Sequence, residues 1–308
     1  MQEITMKTCL RFLFAVALML AVQAGPQTAS AADNSANSPG PGVSAQYDGA
    51  HVYLAPADMD PFVKSFIATF GGQAAAPATT TVTPTPSSAS FVALRTPVGP
   101  LSVLAFTTPI PYPFGSERVG YLVKDLDTAV AAAVAAGATV LVAPFADPIG
   151  RDAIVQWPGG VTMQFYWHDV PPSAPPPATI PEYRVYVSRE RADALVDSFL
   201  RFSKGAIISD ERAAPGIEIG RPGESFRRVR IASDFGRLTA LVTDGHLPFP
   251  FGRETYGYQV SDLAATLAKA TAAGATVLVE PFKTDDREAA MIQFPGGYIA
   301  EIHMVLRP

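Results

Sequence analysis

The sequence predicts an α+β protein built from four consecutive βαβββ units. Three observations predict it. The chain repeats itself, its apolar runs switch between strand and helix periods, and glycine and proline fall between those runs. Residues 111–164 align to residues 248–301 without a gap, at an offset of 137, with 27 identities in 54 positions. The earlier parts match more weakly: His51-Val52-Tyr53-Leu54 with Phe66 corresponds to Arg184-Val185-Tyr186-Val187 with Phe199, at an offset of 133. Two copies result, residues 48–168 and 182–305, each holding two units.

Each element has a local reason. The first half of a copy offers a strand at His51–Leu54 or Arg184–Val187, then a helix through Phe66 or Phe199. In the first copy, strands follow near Phe91–Leu94 and Leu101–Phe106. The second half of that copy opens with the β-rich run Val119–Val123. Asp125 can accept from the free N–H groups of a first turn, and the Ala/Val-rich helix it starts stops at Gly137. Strands at Thr139–Val142, Ala153–Trp157 and Val161–Trp167 follow, the last two hinged at Pro158-Gly159-Gly160. The second copy repeats this with Asp262 as cap, Gly274 as stop and Pro295-Gly296-Gly297 as hinge.

The flanks read differently. Lys7 and Arg11 precede an apolar run, Phe12–Val22, and Ala29-Ser30-Ala31 supplies a small-x-small cleavage site. This is the order of a secretory signal peptide over residues 1–31. A cut after Ala24 and a start at Met6 remain open, and the competing reading is an uncleaved anchor. The run is shorter than the roughly 20 apolar residues of a spanning helix. The chain is therefore expected to be exported, periplasmic or extracellular, with no stable membrane insertion after cleavage. Cys9, the single cysteine, lies inside this segment. A chain beginning near Ala32 has no cysteine, which excludes disulfides, thiolate metal sites and cysteine nucleophiles. Residues 32–47 read as a disordered polar lead-in, and 169–181 as a stiff proline-rich spacer. The net charge is −5 without a basic block, so nucleic acid is not an expected partner.

The Val-x-Asp-Leu helix entries at 123–126 and 260–263, the Ala-Ala-Gly-Ala exits at 135–138 and 272–275, and the two Pro-Gly-Gly hairpins carry a resemblance. The chain resembles the glyoxalase/bleomycin-resistance/extradiol-dioxygenase superfamily, the vicinal-oxygen-chelate (VOC) proteins, over nearly all of 48–305. The resemblance implies that each copy wraps its two units into an open barrel around a cavity. It also implies where a divalent metal would be held: at the start of the first strand, late in the fourth, at the start of the fifth, and on the eighth. In the first copy these places carry His51, a residue near Leu104, Arg118 and Gln164. In the second they carry Arg184, about Leu241, Thr255 and Glu301. Neither set supplies the two or three His or carboxylate donors of a catalytic site. No cofactor is expected; a divalent metal is the alternative, with His51, Glu301 and His303 as weak candidates.

Strand alternation names the side chains that should face each cavity. They are His51, Tyr53, Arg118, Gln164 and Tyr166 in the first copy, and Arg184, Tyr186, Thr255, Gln259, Glu301 and His303 in the second. His51 faces His168 if the last strand runs long enough. Tyr121 and Tyr258 fall on the opposite face, under the helices. Asp285, Asp286 and Arg287 read as a solvated loop. Neither a Gly-x-Ser-x-Gly elbow nor a phosphate loop occurs. Two readings of the cavities compete: ligand pockets, or cores whose polar groups satisfy one another. Arg184 and Glu301 should pair directly, and the arginines suggest an anionic small molecule as ligand. The function expected is metal-free binding or sequestration of that molecule. The alternative is a metal-dependent lyase, isomerase or dioxygenase.

Overall fold

The computed structural model describes residues 49–170 and 181–306. The expected signal peptide with Cys9 and both candidate cleavage points, the lead-in, and residues 171–180 of the spacer lie outside these. The first copy opens with β1 (Ala50–Tyr53), α1 (Met59–Phe70), the short β2 (Gln73–Ala74) and β3 (Ala78–Thr80), β4 (Ala89–Thr96) and β5 (Gly99–Phe106). Its second half is β6 (Gly120–Leu122), α2 (Leu126–Ala135), β7 (Thr139–Asp147), β8 (Gly150–Gln156) and β9 (Thr162–His168). The second copy starts with β10 (Glu182–Val187), α3 (Arg189–Ser203), β11 (Ala206–Pro215), β12 (Ser225–Ser233) and β13 (Gly236–Val242). It ends with β14 (Thr255–Gln259), α4 (Leu263–Ala272), β15 (Thr276–Lys283), β16 (Arg287–Gln293) and β17 (Ile299–Val305). These are four βαβββ units; in the first, two short strands stand where the others have one long one.

Every unit is wired alike. Its first strand lies parallel to its last, and the remaining strands form an antiparallel meander, as in β10-β13-β12-β11 and β6-β9-β8-β7. A parallel pair needs a long crossover, and each unit's helix begins that crossover. In the second copy the half-sheets join through antiparallel β10 and β14 into one eight-stranded sheet. In the first, the His51 N–H donates to the Arg118 carbonyl at 2.9 Å at the matching place. Asp125 and Asp262 cap α2 and α4, accepting from the N–H groups of Thr128 at 2.7 Å and Ala265 at 2.9 Å. Among the described residues no helix is long and apolar enough to cross a membrane.

The helices lie between the copies and set the geometry of both barrels. Phe66 of α1 packs against Tyr258, Phe294 and Tyr298 of the second copy, with ring centroids 5.1–6.5 Å apart. In return, Trp157 and Phe165 of the first copy pack on Phe202 of α3 at 5.0 and 5.2 Å. Ser198 and Arg201 of α3 donate to the Ala136 carbonyl beyond α2 at 2.6 and 2.7 Å, satisfying an acceptor at the helix end. One continuous apolar core results, and it includes Tyr121 and Tyr258, as alternation predicted. The Pro-Gly-Gly turns do more than reverse the chain. Gly159 and Gly296 have φ of 94° and 80°. Each also touches the other copy: a β-carbon on Gly159 would lie 3.0 Å from Val187 Cγ2, and one on Gly296 2.8 Å from Leu54 Cδ2.

Candidate functional site

The inner face of the first barrel lines a half-open cavity of about 250 Å³. Val82, Phe91, Ala93, Leu104 and Ile149 give it an apolar wall. Its polar groups are His51, Ser102, Asp147, Asp152, Gln164 and His168. Register explains the grouping: Gln164 of β9 lies beside Gly120, and Tyr166 lies opposite Asp152 of β8. Because β9 runs through His168, His51 and His168 do line the same cavity. A β-carbon on Gly120 would lie 2.1 Å from His51 Nε2, so the ring rests where only glycine leaves room. His51 Nδ1 has no hydrogen bond among the described residues and lies 3.9 Å from the buried Glu117 carboxylate, which accepts from Tyr53 Oη. Burial raises the Asp152 pKa well above its ordinary value, with Asp147 adding and a Gln164 hydrogen bond opposing. That burial shifts the Asp152 balance toward its neutral form.

The second barrel is filled with ion pairs instead. Arg184 Nη1 lies 3.0 Å from Glu182 Oε1 and 3.5 Å from Glu301 Oε1. Arg287 Nη1 reaches the same two carboxylates at 3.1 and 3.5 Å. His303 Nδ1 lies 2.7 Å from Glu301 Oε2. Beyond them Arg228 pairs with Glu218 and Glu211, and Arg230 with Asp286 at 2.7 Å. Glu182, Arg184, Arg287, Glu301 and His303 are each no more than 4% exposed. Burial alone would raise the Glu301 pKa; His303, Arg184 and Arg287 bring it down to about 2. Burial likewise acts on Glu182, and Arg287 with Arg184 outweighs it, holding that carboxyl well below its ordinary value.

No protein-family model and no curated protein matches this chain. Solved structures do. A variant of 4-hydroxymandelate synthase from Streptomyces coelicolor matches with a TM-score of 0.60 over 86% of this chain and 93% of its own, at 14% identity. The chain folds as a vicinal-oxygen-chelate protein. The 2,3-dioxygenase LapB from Pseudomonas sp. KL28 matches with a TM-score of 0.50, 12% identity, and 87% and 95% coverage of the two chains. The Mn(II)-bound glyoxalase from Novosphingobium aromaticivorans matches at 0.50 and 11% identity, over 85% of this chain and 83% of that one.

The metal positions of the VOC fold can now be tested against this chain. In the second barrel Arg184 and Thr255 are paired in register, and Arg184 turns a permanent positive charge onto Glu301. Both Glu301 oxygens already serve Arg184, Arg287 and His303. In the first barrel His51 and Gln164 share the cavity, but Arg118 does not complete a set with them. Neither set of these positions fits a divalent cation, and among the described residues no three His, Cys, Asp or Glu groups, those of the first cavity included, are placed to hold one.

Most predicted cavity residues are where alternation placed them. His51, Gln164 and Tyr166 line the first cavity. Tyr53 also faces inward, stacked on Phe106 at 6.2 Å. Arg184, Thr255, Glu301 and His303 are buried in the second barrel, and Tyr186 packs beside Leu241 there. Two placements are corrected. Arg118 precedes β6 and swings out of the first barrel, 5.9 Å above the Tyr53 ring, to border a cleft between the copies. Gln259, the last residue of β14, is exposed. The solvated reading of Arg287 also fails, because β16 begins there and turns that side chain inward. Asp152 and Glu182 were missed although alternation covers them. Each lies just before the point where a strand was expected to start.

Proposed function

We propose that this chain is an exported, metal-free binding protein of the VOC fold that sequesters an uncharged, partly apolar small molecule in its first barrel. The contrast between the barrels supports this. One keeps a cavity with an apolar wall and a few convergent polar groups, as small-molecule sites do. The other closes on its own ion pairs. An anionic ligand was expected from the arginines, but Arg118 does not line the first cavity and Arg184 is already paired. The cavity offers His51, Asp152 and Gln164 instead, which suit hydroxyl, amide or carbonyl groups.

Titration with phenol, followed by amide NMR shifts, tests the site. Saturable shifts at Phe91, Leu104 and Tyr166, weakened at least tenfold by Ala93→Phe, are expected. Binding that ignores Ala93→Phe would overturn it. The enzyme reading is favoured by the Mn(II)-bound glyoxalase among the structural matches. Elemental analysis after growth in metal-supplemented medium decides between the two: one ion per chain supports the enzyme. Export is tested by intact mass from a secreting host, where a chain starting at Gly25 or Ala32 is expected and a full-length one would refute it.

A further inference from the structure

The two copies leave a cleft of about 430 Å³ between them, and no residue lining it also lines the proposed barrel site. Equivalent segments of the repeat bound it. Ser116 and Arg118 come from the first copy and Arg253 and Glu254 from the second, and the repeat sets Arg253 and Glu254 at the places of Ser116 and Glu117. Arg118 is half-buried over the Tyr53 ring, and among the described residues no carboxylate lies within ion-pair reach of its guanidinium. The buried arginines of the second barrel are all paired; this one is not. Its charge is nevertheless felt by Tyr53 of its own copy and by Tyr183, Glu254 and Tyr298 of the other, so it sits where the copies converge. Arg253 brings a second cation, stacked 5.8 Å over Phe249 and exposed at the rim. The carboxylates nearby are turned to tyrosines: Glu117 accepts from Tyr53 Oη, and Glu254 from Tyr183 Oη. Tyr298 and Ile299 supply an apolar side.

We propose that this cleft is a second binding site, for a small organic monocarboxylate held between Arg118 and Arg253 with its apolar body against Tyr53, Tyr298 and Ile299. A planar guanidinium binds a carboxylate through two parallel hydrogen bonds, and a half-desolvated arginine without an internal partner gains most from one. The lining charges favour an anion. Arg118 and Arg253 share the cleft with one carboxyl, Glu254, whose pKa burial pushes up to about 7. Protonation of Glu254 leaves the two guanidinium charges unopposed on the cleft wall; its ionisation cancels one of them. Binding should therefore weaken as pH rises through about 7. The charged groups facing Glu254 are Arg118 and Glu117, and its hydrogen-bond partner is Tyr183.

Benzoate is the probe, titrated at pH 6 and pH 8 by calorimetry and by amide NMR shifts. Saturable binding with shifts at Arg118, Arg253 and Ile299 is expected, several-fold weaker at pH 8. Arg118→Met should weaken it at least tenfold and the exposed Arg253→Met several-fold. Glu254→Gln should remove the pH dependence. Ala93→Phe, which fills the first barrel, should leave benzoate binding unchanged while weakening that of phenol at least tenfold, so the two sites fail independently. Absence of binding at pH 6, or binding indifferent to both arginine variants, would overturn the proposal. So would inorganic phosphate binding as tightly as benzoate, or benzoate lost with Ala93→Phe.

Discussion

Arg184 and Glu301 meet inside the second barrel, Nη1 to Oε1 at 3.5 Å, at two places where the VOC fold would set two ligands of one metal. A fixed guanidinium takes the place that an ion beside Glu301 would otherwise hold. Removing one partner of a buried pair typically costs about 3–5 kcal/mol, because the other charge is left uncompensated. Denaturant unfolding of Arg184→Met, Glu301→Gln and the double variant should show the double less destabilised than the sum of the singles. The expected coupling is on the order of 1 kcal/mol or more. Arg287 also reaches Glu301, so Glu301→Gln should be costlier than Arg184→Met. At the counterpart places His51 and Gln164 form no ion pair with each other, and Gln164→Leu should cost less than either.

Acid should unfold the protein through this network. The Glu182 and Glu301 pKa values are depressed in the fold, so their contribution is complete above the ordinary carboxylate range near 4.3 and is lost as pH falls through the folded values, about 2 for Glu301. Glu254, with its pKa raised to about 7, and Asp152, also raised, keep protons in the fold that the unfolded chain gives up, so thermal melts should show a modest rise in Tm from pH 7 to pH 5 and a steep fall below the ordinary carboxylate range. Glu301→Gln, less stable at pH 7, should show a shallower fall; an equal slope would place the acid sensitivity elsewhere.

Gly120→Ala should disturb the first barrel without adding charge or much volume. Its β-carbon would lie 2.1 Å from His51 Nε2, on an inner face where the buried ring has little freedom to move. Overpacking of this kind costs roughly 1–3 kcal/mol. Chemical denaturation should show that loss, and the amide shifts of His51 and Gln164 should move with it.

Phe66→Ala should unfold both copies together. The ring lies in α1 of the first copy, yet it packs on Tyr258, Phe294 and Tyr298 of the second. Truncating a buried Phe costs about 3–5 kcal/mol. Calorimetry should show one transition at lower temperature; two separated transitions would mean that the copies have independent cores.

How much was legible follows from the range of each signal. Asp125 and Asp262 announced their helices because a cap acts over three residues, and the Pro-Gly-Gly turns announced their hinges for the same reason. Alternation put Arg184, Glu301 and His303 on one face because side-chain direction in a strand repeats every two residues. It lost Arg118 and Gln259, which sit at strand ends where pairing no longer fixes direction. Arg287 looked solvated beside Asp285 and Asp286; that β16 starts at Arg287 depends on its pairing with Val305, 18 residues away.

The sequence by itself determined the duplication, the βαβββ unit and which residue types face each cavity, since these depend on local periods and on comparison of one copy with the other. The tertiary structure alone decided which barrel stays hollow. Two barrels of one repeat differ because β10, β12, β16 and β17 bring Arg184, Arg230, Arg287 and Glu301 to one interior, where desolvation forces every charge to find a partner. The matching strands of the first copy bring His51 and Gln164, which can remain beside a cavity. Arg118 is left between the copies because the helices, packed back to back, fix a cleft that neither copy forms alone.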